Sequence, residues 1–268
     1  MDPSILNYYG TYYNEIDRFN DGSGHLEYIR SKQILDRYLP QAPVNILDVG
    51  GGPGAYSSWL AEKGHKVHLI DPVPRHLKEA EERARKNPLK SIQKGDARSL
   101  RWSDETVDIV LLMGPLYHLT KAEDRKKALH EARRVLKPGG ILFAAAITRF
   151  ASLLDGIRSG AILDPAFRAI VARDLKDGQH RNPDENKDYF TTAYFHRPEE
   201  LTVEITECGF AQCQTLAVEG AAWLLGDIKE QLEAPERRDI LLDAIQKLEK
   251  EPSLLGASPH IMAVAQKP

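Results

Sequence analysis

The stretch Val44-Asn45-Ile46-Leu47-Asp48-Val49-Gly50-Gly51-Gly52-Pro53-Gly54-Ala55 constrains the fold more than any other part of the chain. An apolar run over 44–49 meets four glycines within five residues, and a helix-compatible segment, 55–63, follows at once. That order predicts the strand, tight turn and helix start of a nucleotide-binding α/β domain. Glycine is required there because a side chain would keep the backbone from approaching a ligand, and because such turns visit positive φ. Gly50-x-Gly52-x-x-Ala55 even satisfies the dinucleotide fingerprint, which admits Ala in its last place. The glycines alone leave the ligand open.

The next hundred residues alternate regularly. Strands are expected over 65–71, 88–94, 107–113 and 141–147, with helices over 75–86 and 123–136 between them. Such alternation implies right-handed βαβ units and a doubly wound parallel sheet. Before it, residues 1–43 read as a helical arm. Tyr8, Tyr9, Tyr12 and Tyr13 would share one helix face, and that face either docks the arm or closes it over a pocket. Asp21-Gly22-Ser23-Gly24 is expected to break the arm before a helix over 25–39. Lys137-Pro138-Gly139-Gly140 is expected to turn into the fifth strand. After residue 147 the rhythm fails. Residues 148–194 and 221–257 are too long for ordinary connections and read as helical insertions of the lid type. Segments 210–219 and 260–266 are the expected closing strands.

Composition removes several classes. The formal net charge of the 268 residues is −3, which argues against an electrostatic nucleic-acid binder. Helix 123–136 carries Arg125-Lys126-Lys127 and Arg133-Arg134, but their helical placement fits a solvated outer face. Cys208 and Cys213 have neither disulfide-framework nor zinc spacing, so no metal is expected. No apolar run approaches the roughly 20 residues of a membrane span, and the start of the chain lacks the regions of a signal peptide. The expectation is a cytoplasmic protein, monomer or homodimer, without nucleic-acid or membrane partners.

Three acids bear on the ligand. Asp48 stands just before the glycines. A carboxylate some 6–8 Å from a pyrophosphate would repel each charge by about 2–3 kcal/mol at an effective dielectric near 20. S-adenosylmethionine carries a sulfonium and an ammonium, so an acid there attracts it. Asp71 closes the second strand 19 residues after Gly52 and can accept ribose hydroxyls of either cofactor. Asp96, in Gly95-Asp96-Ala97, can accept an adenine amino group beside a free backbone N–H, or can merely cap a turn. All three acids fall at carboxyl ends of strands, where open α/β sheets bind ligands.

These residues, together with Arg133-Arg134-Val135-Leu136-Lys137-Pro138-Gly139-Gly140, resemble the ordered motifs of class I S-adenosylmethionine-dependent methyltransferases. The chain is most similar to the type 11 group, related to the ubiquinone and menaquinone biosynthesis methyltransferases. The resemblance covers 44–147 and implies a single methyltransferase domain over 1–268. The implied Rossmann-like sheet has seven strands in the order 3-2-1-4-5-7-6, mostly parallel with one antiparallel edge hairpin. It places the cofactor, whose product is S-adenosylhomocysteine, on Asp48, Gly50, Gly51, Gly52, Asp71, Pro72, Asp96, Ala97, Met113 and Gly114.

Methyl transfer from a sulfonium is an in-line displacement. An enzyme promotes it chiefly by aligning the acceptor and excluding water. A base is needed only when the nucleophile is protonated. The stretch 114–119 after the fourth strand is the expected acceptor side, with His118 as a base titrating near neutrality or a structural histidine, and Tyr117 beside it. Tyr13 on the arm, Arg149 after the fifth strand and Tyr194 where the first insertion rejoins are further candidates for acceptor contact, with His196 nearby. The expected acceptor is a small molecule enclosed by arm and insertions. An RNA or protein methyltransferase, or a non-catalytic cofactor-binding module, stands as the alternative.

Overall fold

The computed structural model describes residues 2–20, 22–41, 43–184 and 186–268, without the side chain of Tyr12. Its frame is one seven-stranded sheet: β1 (Asn45–Val49), β2 (Lys66–Asp71), β3 (Ser91–Lys94), β4 (Val107–Leu112), β5 (Leu136–Ile147), β6 (Ala211–Ala217) and β7 (His260–Gln266). The strand order is β3-β2-β1-β4-β5-β7-β6. Strands β1 to β5 pair in parallel, and β7 is antiparallel to both β5 and β6.

Covering the sheet on both faces explains its apolar runs. Along β1, Ile46 points into one core and Leu47 into the other. Leu47, Val110, Leu112 and Ala144 pack against Leu129 and Val135 of helix Ala122–Val135 and against Leu201 and Ile205 of helix Pro198–Glu207. On the opposite face Ile46, Ile109, Leu111 and Phe143 meet Ile34, Leu35 and Leu60. Each such side chain, once buried, contributes about 1.5–3 kcal/mol. Two helical layers thus hold the carboxyl ends of β1–β4 along one open edge.

Several local expectations are corrected. The segment 137–140 falls within β5 but as an irregularity: Gly139 has φ +77°, and the register against β4 jumps from Val107–Leu136 to Ile109–Ile141. Bonds from Gly139 N–H to the Lys267 carbonyl (2.8 Å) and from Lys267 N–H to the Gly140 carbonyl (2.9 Å) hold it at the sheet. The break before the second helix falls just ahead of its expected place: helix Glu15–Arg18 ends before it, Gly22 opens helix Gly22–Tyr38 with φ +56°, and Ser23 and Gly24 are already helical; Asp21 lies outside the described residues. A Cβ on Gly24 would stand 2.0 Å from the Arg18 carbonyl, so glycine permits the close crossing.

Helix Ala122–Val135 is not simply a solvated basic face. Arg125 is buried, holds Glu204 through Nε at 2.9 and 3.0 Å, and lies 3.8 Å over the Tyr194 ring. Arg134 bonds to the carbonyls of Leu100 and Trp102. These cations tie elements together. Cys208 is buried and Cys213 half-buried, both free. No helix among the described residues is long and apolar enough to cross a membrane.

Candidate cofactor and acceptor site

The carboxyl edge of the sheet opens into a cavity whose empty space, open solvent at its mouth included, is about 1070 Å³. Asp48 and Gly50, Gly51 and Gly52 line it at the end of β1, Asp71 and Pro72 at the end of β2, Asp96 and Ala97 after β3, and Met113 and Gly114 after β4. Every residue expected to hold the cofactor therefore faces one space. The glycine loop is shaped for close approach. Gly50 has φ +70°, and a Cβ there would sit 2.7 Å from the Pro115 ring. Gly54, also left-handed, precedes helix Ala55–Glu62.

Asp71 is the loop's internal brace. One carboxylate oxygen accepts the Gly52 N–H at 2.9 Å; the other accepts the Val73 N–H at 2.8 Å and lies 3.2 Å from His76 Nδ1. Asp48 differs. It is buried, accepts only the Ser57 hydroxyl (2.7 Å on Oδ2), and its Oδ1 has no partner. Burial pushes its pKa up to about 7. An orphaned carboxylate oxygen beneath a cavity suits a cationic ligand and opposes a pyrophosphate. Asp96 is more committed than its sequence suggests. Arg98 grips it through Nε (2.9 Å) and Nη2 (2.6 Å), and that hydrogen bonding holds its carboxyl below the usual carboxylate range.

The amino-terminal arm also reaches the cavity. Ile5, Tyr9, Glu15, Arg18 and Phe19 line it, as do Glu27 and His76. None was singled out as a site residue, since aromatic and charged residues on short helices carry no spacing that distinguishes a wall from a surface. Only the run of tyrosines hinted at it. Tyr9 packs edge-on against His76 and His118, with its hydroxyl 3.0 Å from His118 Nε2. Tyr8 and Tyr13 stack on each other.

A second cavity of about 1020 Å³ adjoins the first, and Tyr9, Glu15, Arg18, Glu27 and Tyr117 line both. Tyr13 belongs to the second, with Phe167, Tyr189 and Phe190 of the first insertion. From 221–257 only Trp223 reaches it among its lining residues. The helices Ile228–Glu233 and Pro235–Leu248 instead pack through Ile228, Leu232, Leu242 and Ile245 on Leu26 of the arm's long helix. The second insertion is thus mainly a buttress, not a lid.

His118 lines the first cavity but does not have the expected neutral pKa, because burial lowers it to about 4. Arg149 and Tyr194 line neither cavity. Buried Arg149 bonds to the Glu200 carboxylate (2.7 Å), the Tyr194 hydroxyl (3.2 Å) and the Phe195 carbonyl (3.3 Å). His196 is fully buried with Nε2 3.2 Å from Glu204. A buried guanidinium must be paired, and these acids pair it away from the cavities.

A sheet of this order, with a glycine loop after β1 and acids at the carboxyl ends of β1, β2 and β3, defines a methyltransferase-type Rossmann-like fold. Comparison with known proteins agrees. A family model described as a methyltransferase domain matches residues 47–144. A ubiquinone biosynthesis O-methyltransferase of Methylocella silvestris is 33% identical over 117 residues, 42% of this chain and 44% of that one. A ubiquinone/menaquinone biosynthesis C-methyltransferase of Acidiphilium cryptum is 36% identical over 150 residues, covering 53% and 58%. The matches thus span about half the length of these relatives. A solved S-adenosylmethionine-dependent methyltransferase of Mesorhizobium loti superimposes with a TM-score of 0.59 at 16% identity, over 90% of this chain and 100% of that one. Residues 47–144 are thus similar to the methyltransferase-domain family, and the fold is that of solved S-adenosylmethionine-dependent methyltransferases.

Proposed function

We propose that this protein transfers the methyl group of S-adenosylmethionine to a small-molecule acceptor held in the second cavity. The observation that carries this reading is the wall the two cavities share, where Tyr9, Glu15, Arg18, Glu27 and Tyr117 face both. A donor in one space and an acceptor in the other would meet there. S-adenosylmethionine, when bound, supplies an electrophilic methyl carbon on a sulfonium that departs as a neutral thioether.

The chain's own residues orient and enclose. The glycine loop, held by Asp71, offers its backbone to the cofactor, and Asp48 offers a carboxylate to its cationic groups. The arm's Tyr9 covers the junction and excludes water, which raises the effective concentration of the aligned partners. His118, neutral at pH 7 with a pKa of about 4, is too weak a base to drain a proton efficiently. It holds Tyr9 in place. Enclosure by arm and first insertion supports a small acceptor over an RNA or protein chain.

The test is acceptor-dependent formation of S-adenosylhomocysteine across a panel of amines, phenols, thiols and carbon acids. Product with one chemical class is the expected result. Tight cofactor binding without turnover of any class, or turnover confined to RNA or protein, would overturn the reading.

A further inference from the structure

We propose that the second cavity is built for a cationic amine, an ammonium group carried on a flat apolar body, and that this amine is the methyl acceptor. The inference rests on the methyl-transfer reading above and narrows it to one substrate class.

Two properties of the walls lead there. The first is aromatic. Tyr13, Phe167, Tyr189, Phe190, Phe195 and Trp223 line the space, and aromatic faces attract ammonium groups through their quadrupoles while packing flat bodies. The second is charge. Glu15, Glu27, Asp155, Asp188 and Glu219 also line it, and Arg18 is the one arginine or lysine among the described lining residues. Arg18 divides its guanidinium between Glu15, 3.1 Å from Nε, and Glu27. Arg158 offsets Asp155 from outside the lining at 2.8 Å. Glu219, 1% exposed, faces His260 Nδ1 at 2.6 Å. Even with these pairings, negative charge remains in excess. Burial also raises the pKa of the Tyr13 and Tyr117 phenols, so both stay neutral.

A carboxylate or phenolate acceptor would meet that field unfavourably, whereas an ammonium is drawn in. Glu15 and Glu27 border both cavities with Arg18 between them, so the shared wall still keeps an excess of negative charge. The amine binds as the cation and loses one proton to solvent water. Its lone pair then takes the methyl carbon as the carbon–sulfur bond breaks toward sulfur. The product is a methylated ammonium beside a neutral thioether.

Binding separates this inference from the broader one. Calorimetry on the full chain, with S-adenosylhomocysteine present, would compare 2-phenylethylamine, 2-phenylethanol and phenylacetate, three probes of one shape and three charge states. The expected order is amine, alcohol, carboxylate, with at least tenfold between the ends. Glu27→Gln should weaken the amine at least fivefold and leave the alcohol within twofold. Glu15→Gln, on a different element, should do the same and guards against misfolding of the first variant. Equal or tighter binding of phenylacetate, no detectable amine binding, or unchanged amine affinity in both variants would overturn the amine assignment while leaving the methyl-transfer reading standing. Failure of S-adenosylhomocysteine itself to bind would remove that reading instead.

Discussion

Tyr9 and His118 stand 109 residues apart in sequence, yet the Tyr9 hydroxyl lies 3.0 Å from His118 Nε2. This contact joins the amino-terminal arm to the short helix Pro115–His118 that follows β4. It turns the arm from an appendage into a wall of both cavities. The expectation of a helix face of tyrosines was thus right about aromatic packing. Its period differs, since Tyr8–Tyr12 forms a wider π-helical turn.

Tyr9→Phe removes the contact and keeps the ring. The expected result is a loss of about 1 kcal/mol in arm docking, read as faster amide exchange over residues 3–13. Cofactor affinity should fall about threefold to tenfold, while global stability hardly changes. Unchanged exchange in the arm would mean that ring packing alone holds it.

Asp71 supports a second prediction. Asp71→Ala strands the buried N–H groups of Gly52 and Val73, each costing roughly 1–3 kcal/mol, and removes the carboxylate from the cavity. Cofactor binding should weaken at least tenfold. Asp71→Asn retains one acceptor oxygen and should recover part of that loss. Wild-type affinity in the alanine variant, measured by calorimetry, would refute the assignment.

The sheet was legible because its signals are local. Periodicity, glycines and strand-terminal acids announce β1 to β4 within a few residues, and each expected cofactor contact came to line one cavity. What was not legible depends on partners distant in sequence. Arg149 looks identical in sequence whether it meets an anionic ligand or Glu200. Residues 137–140 carry turn chemistry and Gly139 does take φ +77°, yet pairing with Lys267 at the far end of the chain keeps the segment within β5. His118 titrates near neutrality in water, and only the density of Tyr9, Tyr117 and Phe190 around it moves that value.

Arg149→Ala tests one such correction. Losing one partner of a mostly buried pair costs about 3 kcal/mol or more, so the thermal midpoint should drop by several degrees. The folded fraction should keep its cofactor affinity and its acceptor KM within twofold. A selective rise in acceptor KM, without loss of stability, would restore Arg149 to the binding site.

Asp48 gives the sharpest pH dependence. Its folded pKa of about 7 lies above the ordinary 3.8, with burial as the main cause. Between those values the native state holds a proton that the unfolded chain has released, so stability falls as pH rises through the interval. The full difference amounts to about 4 kcal/mol once the carboxylate is charged. Asp48→Asn removes this dependence. The variant should melt higher than the wild type at pH 8, and the gap should close toward pH 4. A cationic ligand beside Oδ1 favours the ionised form and expels the proton. Cofactor affinity in the wild type should therefore rise about tenfold from pH 5.5 to 7, with proton release seen as a buffer-dependent binding enthalpy. In Asp48→Asn the slope and the released proton should both vanish. An identical slope in the two proteins would show that the ligand's positive charge does not sit against Asp48.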